Sequence, residues 1–187
     1  RIVLDYMFNV SQVIGPNLLG KVGIETIVLN AHRAEFRLKE RKELLTQTSN
    51  VVQALKADFG VQLDANAERI LVIDETGQPI DSYCLQALFI RLHLKKYIGQ
   101  SIVVPVMAPD ILKHIAEEAG GHLIYSKASS RSLMECAQKP DVIMAVHDGR
   151  FIFPRFHAGF DGIMAIAQLA SLLEEEQLPL STLMKAI

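Results

Sequence analysis

Short apolar runs alternate with longer segments of helical period along most of this chain. The runs are four to six residues long and most contain β-branched residues, whereas the segments between them repeat apolar residues every three or four positions. A parallel sheet covered by crossover helices produces this alternation, because its strands are buried on both faces. The sequence therefore predicts an α/β fold. The predicted strands are Ile2–Asp5, Thr26–Asn30, Ile70–Asp74, Ile102–Val106, His122–Ser126 and Val142–Val146.

The segments between the strands differ in how clearly they predict helices. One segment begins with Pro109, which suits a first helical turn, and ends at the pair Gly120-Gly121. Another carries a continuous apolar stripe over residues 163–173. The segment Arg37–Phe59 is polar at first and becomes amphipathic from Val51. We predict a loop for its first half and a helix for its second.

A cluster of turn-forming residues divides the chain. The segment 75–79 reads ETGQP and lies between a predicted strand and a helical segment. A chain of 187 residues is long enough for two small domains. We therefore predict one domain over residues 1–78 and a second over residues 79–187. Both halves repeat the strand–helix–strand theme, so we expect two similar α/β domains in tandem.

Composition narrows the class of protein. Half of the residues are apolar, 21% are charged and the net charge is −2, without any block of lysine or arginine. These values fit a well-buried globular protein and lack the basic surface of a nucleic-acid binder. No apolar run approaches the roughly 20 residues that a transmembrane helix needs, and no signal peptide is recognisable. We expect a cytoplasmic protein that is neither secreted nor membrane-spanning.

The cysteines and the first residue lead to two further expectations. Cys84 and Cys136 both lie in apolar helical patterns, which predicts buried thiols in a reducing compartment instead of a disulfide. The chain opens at Arg1 and enters a strand directly, without an initiator methionine or a leading loop. We therefore expect it to be a piece of a longer protein.

Several familiar catalytic and metal-binding motifs are missing from the sequence. The histidines other than His147 show no spacing that would place two on one helical face with a third ligand nearby, so no zinc motif is predicted. The sequence contains no G-x-S-x-G motif, no G-x-G-x-x-G motif and no Walker loop. An unrelated nucleotide-binding α/β domain nevertheless stays open as an alternative, because α/β folds host many functions.

Segments along the whole chain resemble, in order, parts of one enzyme family. Leu63–Ile70 followed by Val72–Gly77 is similar to a metal loop of the form D-G-D-x-D-R, a strand and D-E-x-G. Further matches to the same family are Ile2–Tyr6, Ser101–Pro105, Ile124–Ala128, Phe151–Pro154 and Phe160–Ile163. The chain thus resembles domains II and III of the α-D-phosphohexomutases, which include phosphoglucomutase and phosphomannomutase. The resemblance implies two tandem domains, each a mixed, mostly parallel sheet flanked by helices.

The resemblance implies a magnesium site, which the sequence keeps only in part. In the family three carboxylates of the metal loop bind Mg²⁺ beside a phosphoserine; the matching residues here are Asp64, Asn66 and Glu68. An amide replaces one carboxylate, and Ala65 replaces a glycine, so two interpretations stay open: a magnesium site, or a solvated loop with a local ion pair. Arg69 is retained and has the chemistry to contact a phosphate.

Two loops of the second domain correspond to the family's substrate-binding loops. Val146–Phe151 stands where the family has the sugar-recognition motif G-E-x-S-G-H; Asp148 is a candidate hydroxyl acceptor, and His147 and Arg150 are candidate phosphate ligands. A polar turn with Gly149 at the bend is the alternative interpretation. Ser126–Arg131 stands where the family has T-x-V-G. Here Ser129 suits a helix N-cap, and a phosphate could be held there between Lys127 and Arg131.

The resemblance implies a role in hexose-phosphate metabolism. Phosphohexomutases move phosphate between a phosphoserine and the 1- and 6-positions of a sugar, but the phosphoserine domain I and the phosphate-clamping domain IV have no counterpart here. We therefore expect this segment alone to be inactive. The F-I-F-P…F-D-G combination resembles the mutase-like region appended to mannose-1-phosphate guanylyltransferases more than it resembles a standalone mutase. This favours a non-catalytic, sugar-phosphate-binding or regulatory region beside a nucleotidyltransferase; the alternative is a fragment of an active phosphomannomutase or phosphoglucomutase.

The leucine-rich tail carries one further expectation about partners. Residues 178–187 would present apolar side chains if they were exposed, and this predicts an interface for a homo-oligomer or for the rest of the parent chain.

Overall fold

The computed structural model describes residues 1–8, 15–32 and 41–187. The chain forms two compact units: the first comprises residues 1–80 together with 162–186, and the second comprises residues 81–161. The predicted domain boundary between residues 78 and 79 stays a prediction. The first unit takes a long C-terminal segment that the sequence pattern assigned to the second domain.

Strands and helices alternate along the described residues. The strands are Ile2–Asp5 (β1), Thr26–Leu29 (β2), Phe59–Leu63 (β3), Ile70–Asp74 (β4), Ser101–Pro105 (β5), His122–Ser126 (β6), Val142–His147 (β7), Arg150–Phe153 (β8) and His157–Phe160 (β9). The helices are Gly15–Lys21 (α1), Arg41–Leu55 (α2), Ser82–Lys96 (α3), Ile111–Glu118 (α4), Ser130–Ala137 (α5), Gly162–Glu176 (α6) and Leu180–Met184 (α7).

The first unit is built on a four-stranded sheet in the order β2-β1-β3-β4. β1, β2 and β3 are parallel, and β4 is antiparallel to β3. Helix α2 packs on this sheet because Leu44, Thr48 and Val52 recur every four residues and are all buried. Val52 meets Val3 of β1 in a buried apolar cluster.

The second unit repeats this arrangement with one additional strand. Its sheet has the order β6-β5-β7-β8-β9, with β5, β6 and β7 parallel and β8 and β9 antiparallel to their neighbours. Helix α5 buries Leu133 and Ala137 against Val103 and Ala145 of the sheet. Helix α3 packs through Phe89, whose ring centroid lies 4.3 Å from that of Phe151. The predicted tandem α/β architecture, with mixed and mostly parallel sheets, is confirmed.

Two sequence-based predictions of local structure were wrong. Within the described residues, α2 is helical from Arg41, well before Val51, because Lys42 and Glu43 lie on the exposed face of a helix whose buried stripe starts at Leu44. Residues 37–40 of the predicted loop lie outside the described residues. Strand β3 is absent from the sequence prediction, in which the helical segment ends at Phe59, the first residue of this strand. Its Gly60 and Gln62 interrupt the apolar pattern, yet every residue of the strand is buried.

The cysteines are less buried than predicted. Cys84 is exposed and Cys136 is half-buried, and both are free thiols. Cys84 lies in the first turn of α3, ahead of the run of buried residues that starts at Leu85. The apolar helical pattern therefore predicted correctly that both cysteines lie in helices, but it did not predict their exposure.

The apolar tail is partly packed within the first unit. Leu180 and Leu183 of α7 are buried, whereas Leu178 is exposed. The two buried leucines are therefore not part of an exposed apolar surface, and the interface at residues 178–187 stays a prediction. Within the described residues, no helix is both long enough and apolar enough to span a membrane.

Candidate functional site

A buried carboxylate organises the carboxyl edge of the first sheet. Asp5 is the last residue of β1 and is fully buried. Its Oδ1 accepts hydrogen bonds from the Met7 amide at 2.9 Å and from Asn30 Nδ2 at 2.9 Å. Its Oδ2 accepts from Thr48 Oγ1 at 2.8 Å and from Gln62 Nε2 at 2.9 Å. Asp5 therefore links the ends of β1, β2 and β3 to helix α2.

Tyr6 follows directly and has a different environment. Its side chain is fully buried, and within the described residues its hydroxyl has no hydrogen-bond partner. Burial raises the pKa of the Tyr6 phenol to about 12, because the phenolate would lose its hydration. A Cβ added at Gly15 would lie 2.0 Å from the Tyr6 hydroxyl oxygen, so the start of α1 has no room for a side chain here.

The candidate metal loop lies at the same edge, between β3 and β4, and is closed by its own hydrogen bonds. Asp64 Oδ1 accepts from the amide of Glu68 at 2.8 Å and from the amide of Arg69 at 3.1 Å. The Asp64 amide donates to the Arg69 carbonyl at 3.1 Å, and the Ala67 amide donates to the Asp64 carbonyl at 3.0 Å. Ala67 adopts a left-handed conformation, with φ of 56°. The loop is therefore a compact turn that Asp64 caps.

These residues do not fit a magnesium ion well. Mg²⁺ requires near-octahedral oxygen ligands, and its protein ligands are usually carboxylates. One oxygen of Asp64 already accepts two amides, and Asn66 offers only a neutral amide oxygen. Within the described ranges, no group of three acidic, histidine or cysteine side chains is arranged to hold a metal. We therefore derive no step that uses a metal at this loop.

The D-E-x-G segment after β4 is also a structural turn. Asp74 Oδ1 accepts from the Thr76 amide at 2.9 Å, from Thr76 Oγ1 at 2.6 Å and from the Gln78 amide at 2.9 Å. Gly77 has a φ of 83°, a conformation that favours glycine. Glu75 leaves the turn and accepts hydrogen bonds from the amide and the hydroxyl of Ser181. The segment thus connects β4 to the start of α7.

The second sheet gathers the remaining candidate residues at its carboxyl edge. β5, β6 and β7 are parallel, so their carboxyl ends, Pro105, Ser126 and His147, lie at one edge. In open α/β sheets, ligands bind outside this edge, where the connections from neighbouring strands leave in opposite directions. In this sheet the chain leaves β5 toward β6 on one side and leaves β7 toward β8 on the other side. The connections therefore diverge between β5 and β7, which is where a ligand site is expected.

The loop after β6 leads into a capped helix. Ser129 Oγ accepts from the Ser132 amide at 3.2 Å, which makes Ser129 the N-cap of α5 as the sequence suggested. Arg131 is exposed, and its Nε donates to Glu135 Oε1 at 2.8 Å, so that this carboxylate raises the Arg131 pKa. Lys127 is exposed in the loop itself. The Ser129 cap therefore satisfies the Ser132 amide at the start of α5, and Lys127 takes no part in this cap.

The loop after β7 is a tight hairpin turn. Asp148 and Gly149 both have positive φ, 49° and 71°, and they connect the paired residues His147 and Arg150. These angles are those of a type I′ turn, which suits the twist of a hairpin. The Arg150 guanidinium carbon lies 4.6 Å from the centre of the Phe160 ring, and the buried Arg150 Nε has no hydrogen-bond partner within the described part of the chain.

The predicted site residues therefore fall into two groups. Arg69, with Asp64, Asn66 and Glu68, lies in the first unit. The six other candidates lie in or next to the β6–α5 and β7–β8 connections, at the carboxyl edge of the parallel strands of the second sheet, namely Lys127, Ser129, Arg131, His147, Asp148 and Arg150. Sequence reasoning missed the polar network around Asp5. The sequence feature that could have revealed this network is Asp5, an acidic residue at the end of the otherwise apolar strand β1.

Two family models match the chain. The model of phosphoglucomutase/phosphomannomutase α/β/α domain II matches residues 1–77, and that of α/β/α domain III matches residues 81–187. The phosphoglucosamine mutase of Bartonella bacilliformis is 31% identical to this chain over 195 residues, covering 99% of this chain and 42% of the relative.

Solved structures share the fold. A phosphoglucomutase/phosphomannomutase family protein from Burkholderia thailandensis has a TM-score of 0.84 at 22% identity, covering 97% of this chain and 41% of its own. The N-acetylphosphoglucosamine mutase of Aspergillus fumigatus, in complex with GlcNAc-6P and magnesium, has a TM-score of 0.61 at 14% identity, covering 98% and 48%. The chain spans less than half the length of each of these three proteins.

The two family matches cover nearly the whole chain in the order of its two α/β folds. Each match begins at or just before the first strand or helix of its fold and covers its parallel strands. The chain therefore belongs to the phosphoglucomutase/phosphomannomutase family, of which it contains domains II and III.

Proposed function

We propose that this chain is the middle section of a cytoplasmic sugar-phosphate mutase and that its second unit binds the hexose phosphate. The relatives support this proposal, because the similar Bartonella protein is a phosphoglucosamine mutase and aligns with 99% of this chain. Phosphate transfer between the 1- and 6-positions of the sugar would require the phosphoserine and phosphate-clamp domains of the parent protein. This section would contribute substrate contacts.

The observation that carries the binding proposal is the set of polar side chains at the carboxyl edge of the second sheet. Lys127 lies in the loop after β6, Arg150 is the first residue of β8 after the hairpin turn, and both supply positive charge for a phosphate at that edge. Arg150 has a planar guanidinium fork that matches a phosphate, and its side chain is half-buried. Asp148 supplies a carboxylate that accepts hydrogen bonds from sugar hydroxyls.

A second candidate function is a non-catalytic hexose-phosphate-binding region beside a sugar-1-phosphate nucleotidyltransferase. Two observations favour it. The Asp64 loop does not fit a magnesium ion, and a two-residue turn at Asp148-Gly149 stands where the family has its Glu-Ser sugar-recognition motif. Both changes remove groups that a mutase uses for chemistry while keeping the fold.

An assay of turnover by the full-length protein separates the two candidates. The protein is incubated with Mg²⁺, a trace of hexose 1,6-bisphosphate, and glucosamine 1-phosphate, glucose 1-phosphate or mannose 1-phosphate in turn, and ³¹P NMR follows the products. The mutase proposal predicts that a 6-phosphate appears. Saturable binding of a hexose phosphate without any conversion would refute the mutase proposal and support the non-catalytic one.

A further inference from the structure

The Asp64–Arg69 loop is hydrogen-bonded to the start of α6, a helix of the C-terminal segment of the first unit. The amide of Gly162, the first residue of α6, donates to the Ala67 carbonyl at 2.8 Å. The first amides of a helix have no partner within the helix, so this bond satisfies a donor that would otherwise lack one. The loop therefore provides the acceptor at the start of α6.

The contact between loop and helix is close enough to exclude a side chain. A Cβ added at Gly162 would lie 2.6 Å from the Ala67 carbonyl oxygen and 2.8 Å from Leu63 Cδ2. Real Cβ atoms do not approach backbone oxygen so closely, which means that α6 sits on the loop only because residue 162 is glycine. Any change in the path of the loop at Ala67 would move this acceptor.

The position of the Ala67 carbonyl is set by Asp64. Asp64 Oδ1 accepts the amides of Glu68 and Arg69, and the Asp64 carbonyl accepts the amide of Ala67. Hydrogen bonds to an ionised carboxylate are stronger than neutral ones. This carboxylate therefore holds the left-handed turn at Ala67 in place, a task that needs no cation in the loop.

We propose that the Asp64–Arg69 loop is a metal-independent latch, in which Asp64 caps the loop and the loop holds α6 on the first unit. The negative charge that the family uses for a metal is used here for backbone amides. The latch does not depend on the proposed function, because hexose-phosphate binding is assigned to the second unit.

Hydrogen–deuterium exchange of the full-length protein tests the latch locally. The peptides that cover residues 64–70 and 162–166 are compared in EDTA and in millimolar Mg²⁺. The latch predicts the same protection in both conditions. It also predicts that Asp64→Ala speeds exchange about tenfold or more in both peptides, because charge-assisted hydrogen bonds are lost.

Glu68→Gln is the matched control. It removes a carboxylate from the loop but keeps the Glu68 amide that Asp64 accepts, so the latch predicts unchanged exchange. A metal site predicts the opposite pattern: Mg²⁺ adds protection, and both Asp64→Ala and Glu68→Gln abolish that addition. That pattern would overturn the proposal, and so would normal exchange in both peptides of Asp64→Ala.

If Asp64→Ala does not fold, the comparison of the unmodified protein in EDTA and Mg²⁺ still decides between a latch and a metal site. Gly162→Ala then tests the second half of the latch, because it disturbs the contact with Ala67 without changing any loop residue. The latch predicts faster exchange in residues 64–70 of this variant. Unchanged exchange there would refute the coupling between the loop and α6.

Discussion

Glu75 accepts hydrogen bonds from the backbone amide and the side-chain hydroxyl of Ser181, 106 positions later in the chain. Ser181 lies in the first turn of α7, where backbone amides lack partners within the helix. A carboxylate at this position satisfies such an amide and interacts favourably with the helix dipole. The turn after β4 therefore stabilises the start of α7, which belongs to the C-terminal segment of the first unit.

Loss of the Glu75 carboxylate should destabilise the first unit. We expect Glu75→Ala to lower the free energy of unfolding by about 1–2 kcal/mol, because two hydrogen bonds to a charged acceptor are removed. Urea unfolding followed by circular dichroism measures this change. Glu174→Ala, at an exposed glutamate near the end of α6, is the control and should have little effect. Equal losses in the two variants would contradict the role of Glu75.

Removal of the Asp5 carboxylate should have a larger effect. Asp5→Ala leaves Asn30, Thr48 and Gln62 without their shared acceptor inside the fold. Each of the three keeps a second acceptor, namely Gln47 Oε1, the Leu44 carbonyl and Thr48 Oγ1 respectively. The cost is therefore that of the lost bonds to a buried charged acceptor, and we expect a total loss of about 3 kcal/mol. Asp58→Ala is the control, because Asp58 is an exposed carboxylate just before β3. The account is wrong if Asp5→Ala unfolds at the same urea concentration as the unmodified protein.

Tyr6 should make stability depend on pH in the alkaline range. The phenol has an ordinary pKa of 10.0 and a raised value of about 12 in the folded chain. Between these values the unfolded state loses its proton first, so the stability contributed by Tyr6 is complete below pH 10 and disappears as pH rises through 12. Unfolding is measured by urea titration at several pH values. We expect Tyr6→Phe to reduce the loss of stability in this range.

The same variant also tests the state of the Tyr6 hydroxyl. Because this hydroxyl is buried and has no hydrogen-bond partner within the described residues, its removal should be close to neutral at pH 7. A loss of more than about 2 kcal/mol on Tyr6→Phe would indicate that the hydroxyl has a strong partner.

Two glycines form a matched pair for packing. A Cβ at Gly60 of β3 would lie 2.6 Å from Val52 Cγ2, whereas a Cβ at Gly20 of α1 would have no atom within 4 Å. We expect Gly60→Ala to cost about 1–3 kcal/mol through overpacking. Gly20→Ala should be neutral or stabilising by about 0.5–1 kcal/mol, since alanine favours a helix. Thermal unfolding of both variants checks the pair, and a reversed order would contradict the packing of α2 on β3.

The sequence predicted most strands of the two sheets. All six predicted strands exist, with ends shifted by at most one residue, because each is a short run dominated by apolar residues. Two of them, β2 and β6, are partly exposed edge strands. β3 escaped prediction because Gly60 makes room for α2 and Gln62 takes part in the Asp5 network. Neither requirement is visible in the hydrophobic pattern, since both come from residues distant in sequence.

Two local backbone features of the candidate loops were predicted. Ser129 as a helix cap and Gly149 as a turn residue follow from local backbone chemistry, and both have these positions in the structure. The hydrogen bond between Ala67 and Gly162 was not predictable, because it joins residues 95 positions apart through backbone atoms alone. The same applies to the ring contact between Arg150 and Phe160, which depends on the pairing of β8 with β9.

Isothermal titration calorimetry with hexose 1-phosphates tests the central claim most directly. We predict saturable binding of glucosamine 1-phosphate or a related hexose phosphate, weakened at least about tenfold by the double change Lys127→Gln and Arg150→Gln. Lys139→Gln is the control for each of the two single changes, since it removes one positive charge from an exposed residue before β7, at the opposite edge of the same sheet. Absence of binding, or equal weakening by the control, would contradict the proposed site.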